Sequence, residues 1–117
     1  MKVSIITTSY NSVNTIEDCI KSVIAQSYND IEYIIIDGDS DDGTKELLTD
    51  YENEVDLIIS EPDNGPYDAF NKGVVNSGGE LIGFVHSDDM LQNEHVIEKL
   101  VNKIRSTKTD SIYGDLN

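Results

Sequence analysis

Four short apolar runs alternate with amphipathic helical segments, and this alternation constrains the fold more than any other feature of the chain. Val3-Ser4-Ile5-Ile6-Thr7-Thr8, Glu32-Tyr33-Ile34-Ile35-Ile36, Asp56-Leu57-Ile58-Ile59-Ser60 and Leu81-Ile82-Gly83-Phe84-Val85 have the length and β-branched content of buried strands. After the first run, Ile16, Cys19, Ile20, Val23 and Ile24 recur at helical spacing, with Asn14 and Glu17 placed as a capping box. A second helix is expected to open at Thr44 and carry Leu47, Leu48 and Tyr51. A third runs from Tyr67 to Val75 and stops at Ser77-Gly78-Gly79. The last begins at Asn93 or Glu94, with Val96, Ile97, Leu100, Val101 and Ile104 on one face, and Ser111-Ile112-Tyr113 begins a fifth strand. Apolar strands separated by helices pair in parallel and are covered on both sides. The expected class is therefore α/β, a three-layer sandwich with a mostly parallel sheet, and 117 residues make one domain.

In such a sheet every strand leaves toward the same rim, where ligands bind. Asp37 and Asp39, Asp63 and Asn64, and Asp88 and Asp89 all fall there. Ser87-Asp88-Asp89 follows directly on an apolar run. Adjacent carboxylates at a strand mouth repel one another and pay desolvation unless a cation is shared with a partner. That pattern favours a divalent metal gripping a phosphorylated substrate. The plainer reading, a polar cap for the next helix, stays open. His86, on a strand end, is read as a packing residue rather than a further ligand.

Charge sharpens this reading. The chain carries 23 acidic against 8 basic side chains, a net charge of -15, which disfavours nucleic-acid backbones and anionic membrane surfaces as partners. With a single arginine, Arg105, a phosphate could not be held by a basic cluster. It would need helix N-termini, backbone amides or a metal bridge. Cys19 stands alone on an apolar helical stripe, a core residue in a chain without an intrachain disulfide, and the cytoplasm is the expected compartment. Neither a signal peptide nor a run of transmembrane length is apparent.

The loops exclude several nucleotide-binding schemes. Thr7-Thr8-Ser9-Tyr10-Asn11 has no glycine, so neither a dinucleotide fingerprint nor a P-loop is present. Small polar groups beside Tyr10 suit a nucleoside against a flat ring, and equally suit a plain helix-entry turn. Asp37 to Gly43 resembles the opening of an EF-hand, but Asp42 stands where glycine is required and Leu48 where the bidentate glutamate belongs. A carboxylate at the end of that strand can accept the imide N–H of a uracil ring, while Asp39, Asp41 and Asp42 are expected to cap the following helix. In the third helix Asn71 wants a partner, either a ligand or a backbone group. Ala69 and Gly73, four residues apart, would let that helix approach the sheet closely.

Taken together, four segments resemble the N-terminal part of the family-two glycosyltransferases of the GT-A fold. They are V-S-I-I-T-T-S-Y-N (3–11), I-D-G-D-S-D-D-G-T (36–44), S-E-P-D-N-G-P-Y-D-A-F-N-K-G (60–73) and G-E-L-I-G-F-V-H-S-D-D (79–89), in family order over nearly the whole chain. The resemblance implies a nucleotide-diphosphate sugar donor, UDP favoured, and a saccharide or lipid-linked acceptor hydroxyl. It implies Asp37 on the base with Thr8, Tyr10 and Asn11 lining its pocket, and Asp63, Asn64, Asn71 and Lys72 around the donor. Asp88 would lie near the ribose and, with Asp89, on Mn²⁺ or Mg²⁺. Phe70 stands where many relatives carry arginine. Inverting, metal-dependent transfer in cell-surface polysaccharide synthesis is implied, with the enzyme cytoplasmic or peripheral at the inner membrane face and a homo-oligomer left open. The general base and acceptor-binding half are expected beyond residue 117, so that residues 1–117 form the nucleotide-sugar-binding part.

Two other readings compete. A phosphoacceptor receiver domain matches in length, alternation and acidic pocket, but needs an acidic pair after the first strand and a lysine after the fifth. Thr7-Thr8-Ser9 and Tyr113-Gly114-Asp115 supply neither. A non-catalytic nucleotide-binding or interaction module on the same fold is the second.

Overall fold

Among the described residues five strands and four helices alternate as expected: β1 (Val3–Ser9), α1 (Ile16–Ile24), β2 (Ile31–Asp37), α2 (Thr44–Thr49), β3 (Leu57–Ser60), α3 (Pro66–Val75), β4 (Leu81–Phe84), α4 (Val96–Thr107) and β5 (Tyr113–Asp115). The computed structural model describes the backbone of residues 1–107 and 113–115 and side chains as far as Arg105. Ser111 and Ile112, expected to begin the last strand, lie outside the described residues.

The strands form one sheet in the order β3-β2-β1-β4-β5, with each neighbouring pair parallel. β1 runs beside β2 from Val3 opposite Ile31 to Ser9 opposite Asp37, and beside β4 from Val3 opposite Leu81 to Ile6 opposite Phe84. The chain therefore reverses its direction of travel across the sheet between β1 and β4, the switch point at which such sheets open a crevice. A receiver domain has the order 2-1-3-4-5, so this topology removes that alternative.

Period-two alternation sends β1 into two cores. Val3 and Ile5 pack with Ile16, Cys19, Ile20 and Val23 of α1 and Ile97, Val101 and Ile104 of α4, while Leu48 of α2 closes the same side. Ile6 points the other way, with Ile34, Ile36 and Ile82, onto Ala69 of α3. Full burial of each such Ile, Leu or Val contributes about 1.5–3 kcal/mol, so the two faces carry most of the cohesion. Cys19 is completely buried, as expected, near the Thr7–Tyr33 hydroxyl pair (2.9 Å). Burial raises its thiol pKa, although hydrogen bonds from Thr7 and Tyr33 partly oppose the rise.

The close approach of α3 is real. A Cβ at Gly73 would stand 2.5 Å from Ile6 Cγ2, and Ala69 is only 2% exposed. The capping box, in contrast, does not form. Thr15, not Asn14, precedes α1 and makes no side-chain cap, and the Glu17 carboxylate accepts the Tyr51 hydroxyl at 2.6 Å instead of reaching back to the helix start. α2 likewise starts from Gly43 in the left-handed region (φ 103°) without a side-chain cap. Asp39 instead pairs with Lys45, and Asp42 holds the Thr44 N–H at 3.1 Å and the Val13 N–H at 3.2 Å.

Candidate functional site

The C-terminal ends of β1 to β4 surround a cleft of about 770 Å³, within the size range of small-molecule sites. β1 and the segment after it contribute Thr8, Ser9, Tyr10 and Ser12; the segment after β2 contributes Gly38 and Asp39; the turn into α3 contributes Asp63, Gly65 and Pro66; and the segment after β4 contributes His86, Ser87 and Asp88. Segments separated by up to eighty residues thus meet on the single rim that the alternation required. Ser12 and Ser87 hydroxyls, 2.8 Å apart, tie the two sides together across the switch point.

Of the residues expected to hold a donor, Thr8, Tyr10, Asp63 and Asp88 line this cleft, and the Tyr10 ring is 63% exposed as one wall. Asp37 does not line it, which corrects its expected place in the base pocket. Its side chain is completely buried and both carboxylate oxygens are occupied. Oδ1 accepts from the hydroxyls of Ser9 (2.8 Å) and Ser40 (2.6 Å), and Oδ2 from the Ser40 N–H (2.9 Å) and Ser60 hydroxyl (2.9 Å). Four charge-assisted bonds fasten the tops of three strands and leave no lone pair facing the cleft.

Asn11 is corrected in the same way. Its backbone is in the left-handed region (φ 49°), its N–H donates to Ser40 Oγ at 2.8 Å, and its Oδ1 accepts the Asp41 N–H at 2.9 Å, joining two loops. Asn64 and Asn71 are exposed and do not line the cleft. Lys72 is held away by Glu61 (3.1 Å), Asp68 (3.7 Å) and the Pro62 carbonyl (3.3 Å). Desolvation alone would lower the Lys72 pKa, but these carboxylates outweigh it and raise the value, so the ammonium stays charged and occupied.

Asp88 and Asp89 are exposed at the cleft mouth, with only Asp88 on its wall, and the Asp89 N–H closes a turn onto the His86 carbonyl at 3.0 Å. They cap nothing: α4 begins at Val96, seven residues after Asp89, which removes the reading of the pair as a helix cap. His86 packs edge-on against Phe84 with ring centroids 4.4 Å apart, and it also lines the cleft, a second face that the sequence did not reveal.

A model of the family described as Glycosyl transferase family 2 matches residues 4–116. The chain belongs to that family. It is 39% identical over 103 residues to an uncharacterised glycosyltransferase of Mycobacterium tuberculosis, covering 87% of this chain and 39% of that one. It is 36% identical over 101 residues to TuaG of Bacillus subtilis, provisionally named a teichuronic acid biosynthesis glycosyltransferase, covering 84% and 40%. Among solved structures, residues 1–349 of Staphylococcus aureus TarS in complex with UDP-GlcNAc superpose with a TM-score of 0.83 at 27% identity, over 91% of this chain and 32% of that one. A Pyrobaculum calidifontis mannosyltransferase superposes with a TM-score of 0.80 at 21% identity, over 88% and 32%, a likeness of fold. The fold is the α/β GT-A arrangement expected of the family-two chain. The chain spans about two fifths of the length of the Mycobacterium and Bacillus relatives.

A divalent cation fits the residues of this family-two cleft in one manner only. Among the described residues no group of three or more His, Cys, Asp or Glu side chains could hold a metal ion. Asp88 and Asp89 are carboxylates without a described hydrogen-bond or ion-pair partner, the hard oxygen donors that Mg²⁺ and Mn²⁺ prefer. Two protein carboxylates, with the remaining positions left to phosphate oxygens and water, is a usual arrangement for Mg²⁺ beside a phosphorylated substrate. The metal would then be held jointly by protein and substrate.

Proposed function

We propose that residues 1–117 form the donor-binding part of a glycosyltransferase that moves a sugar from a nucleoside-diphosphate donor, UDP-sugar favoured, to an acceptor hydroxyl. The observation that carries this reading is the meeting of Thr8, Tyr10, Asp63 and Asp88 in one cleft at the switch point of a parallel sheet. Membership of the family and the 27% identity to a protein solved with UDP-GlcNAc support a nucleotide sugar as the ligand.

Tyr10 offers a ring face to the base, and Thr8 a hydroxyl beside it. Asp88 and Asp89 would hold Mn²⁺ or Mg²⁺, which when bound neutralises the diphosphate leaving group. The β1 and β4 segments, joined by Ser12 and Ser87, hold the base-binding and carboxylate sides at a fixed separation, the positioning that group transfer requires. Attack by the acceptor oxygen with inversion, and a general base following residue 117, complete the proposed reaction. The acceptor is proposed as a saccharide or lipid-linked hydroxyl of cell-surface polysaccharide synthesis, an extension from TuaG's name. No described helix is long and apolar enough to cross a membrane.

Titration calorimetry with UDP, with and without Mn²⁺, tests this. UDP is expected to bind only with the metal, and Asp89→Ala to weaken binding at least about tenfold through loss of a charged ligand. Metal-independent binding that ignores Asp89→Ala would refute it.

A further inference from the structure

The nucleobase reader is a different carboxylate from the one that strand-end position suggests. Asp37 is saturated and buried, so a base entering the cleft finds no acceptor there. The next residue, Gly38, is not in the left-handed region, which among the described glycines only Gly43 and Gly65 occupy. What Gly38 supplies is space. A Cβ there would stand 3.0 Å from Asp63 Oδ2 and 3.3 Å from Tyr10 Cδ1. The missing side chain lets the Asp63 carboxylate lie over the end of β2, next to the Tyr10 ring.

That carboxylate is also oriented. Asp63 Oδ1 accepts the Gly65 N–H at 3.0 Å, which fixes which oxygen faces the turn. Oδ2 is left on the cleft side, beside an aromatic wall and without a hydrogen-bond donor among the described residues. A base lying flat on Tyr10 would present its edge to this oxygen. Carboxylate oxygens accept and cannot donate, so the edge must carry a ring N–H. Uracil, thymine and guanine have one there; cytosine has a bare ring nitrogen, whose lone pair Oδ2 would repel.

We infer that Asp63 Oδ2, admitted by the absence of a side chain at Gly38, selects nucleotides whose base carries a ring N–H and discriminates against cytosine. The inference rests on the nucleotide-sugar reading above and adds the base-selecting residue to it. It makes a distinctive forecast for Asp63→Asn. The Gly65 N–H keeps the amide oxygen, so the amide NH₂ turns toward the base, where it opposes uracil N3–H and matches cytosine N3.

The experiment is titration of the 117-residue chain with UDP and with CDP in Mn²⁺, two ligands that differ only at the base edge. The native chain is expected to favour UDP by about tenfold to a hundredfold, the range of a hydrogen bond to a charged group. Asp63→Asn is expected to remove or reverse that preference. Gly38→Ala, which displaces Oδ2 without altering the carboxylate, is expected to reduce the preference as well, and serves if Asp63→Asn does not fold by circular dichroism. An unchanged UDP-to-CDP ratio in either folded variant would overturn the assignment while leaving the donor reading intact. If the native chain bound no nucleoside diphosphate, with or without metal, both would fall.

Discussion

Replacing Asp37 distinguishes a structural carboxylate from a ligand-binding one more sharply than any other change. In Asp37→Ala the Ser40 N–H, in a residue only 2% exposed, loses its acceptor, and the hydroxyls of Ser9 and Ser40 lose theirs inside the sheet rim. The Ser60 hydroxyl is exposed and can turn to water. An unsatisfied buried donor costs about 1–3 kcal/mol, while a hydroxyl that can rotate to another acceptor costs less. The sum is about 3–5 kcal/mol. For 117 residues each kcal/mol shifts Tm by about 4 °C, so a fall of about 12–20 °C is expected.

Asp37→Asn should be milder, at about 1–2 kcal/mol. The amide oxygen can occupy the Oδ2 position and keep both Ser40 N–H and Ser60, while Ser9 and Ser40 hydroxyls rotate to accept from the new NH₂. Urea melts read by circular dichroism, with calorimetric titration of the folded fraction, measure both properties. The expected pattern is large destabilisation by Ala, small by Asn, and unchanged UDP affinity in folded Asp37→Asn. Stability within 0.5 kcal/mol of native in Asp37→Ala, together with lost UDP binding, would refute the reasoning and return Asp37 to the base.

Two further outcomes test the lower end of the sheet. Burial by itself would raise the Glu32 pKa, yet the Gly78 N–H, the Ser4 hydroxyl and Lys2 together bring it below the ordinary 4.5, so Glu32 contributes stability above that pH and loses it as pH falls through the lower folded value. A plot of Tm against pH is expected to steepen below 4.5 and to flatten in Glu32→Gln; an unchanged acid limb in the variant would contradict this. Gly79→Ala places a Cβ 2.6 Å from the Ser4 backbone N and 2.5 Å from its Oγ, so the α3–β4 connection must shift, at a cost of about 1–3 kcal/mol measurable as a lower urea midpoint, whereas a neutral or stabilised variant would show that the connection yields freely.

The sheet and its helices were readable because period-two and period-3.6 patterns report burial directly, and Val3, Ile5, Cys19, Ile20 and Ile97 all lie inside as their spacing demands. The rim positions were readable from alternation alone. Side-chain direction at the rim was not. Ser9, Asp37 and Ser60 are paired across neighbouring strands, a polar rung that closes on itself, but only the register reveals it. Asn71 had a signal that spacing could have supplied. Two residues beyond buried Ala69 and two before buried Gly73, it sits about 200° around the helix from the face against the sheet. The capping box at Asn14 and Glu17 failed because α1 begins one residue later than the pattern suggests, at Ile16, and because Glu17 is taken by Tyr51, a contact that only the tertiary fold creates.

The electrostatics of the cleft explain why its acidic mouth and a diphosphate ligand are compatible. Asp39, Asp63 and Asp88 line it, whereas Lys45 and Lys72 are engaged by Asp39, Glu61 and Asp68. The start of α3 points into the cleft but has few donors to spare. The Asn64 N–H is taken by Asp68 at 3.0 Å, the Gly65 N–H by Asp63, and Pro66 has none. The basic side chains are taken, and this helix terminus keeps only the Tyr67 and Asp68 N–H groups of its first turn, so a cation shared with Asp88 and Asp89 would supply most of the charge that a diphosphate needs. The acidity that repels a free phosphate thereby becomes the reason binding should depend on Mn²⁺ or Mg²⁺, and the same carboxylates should hold the metal weakly until the nucleotide supplies the rest of its oxygen ligands.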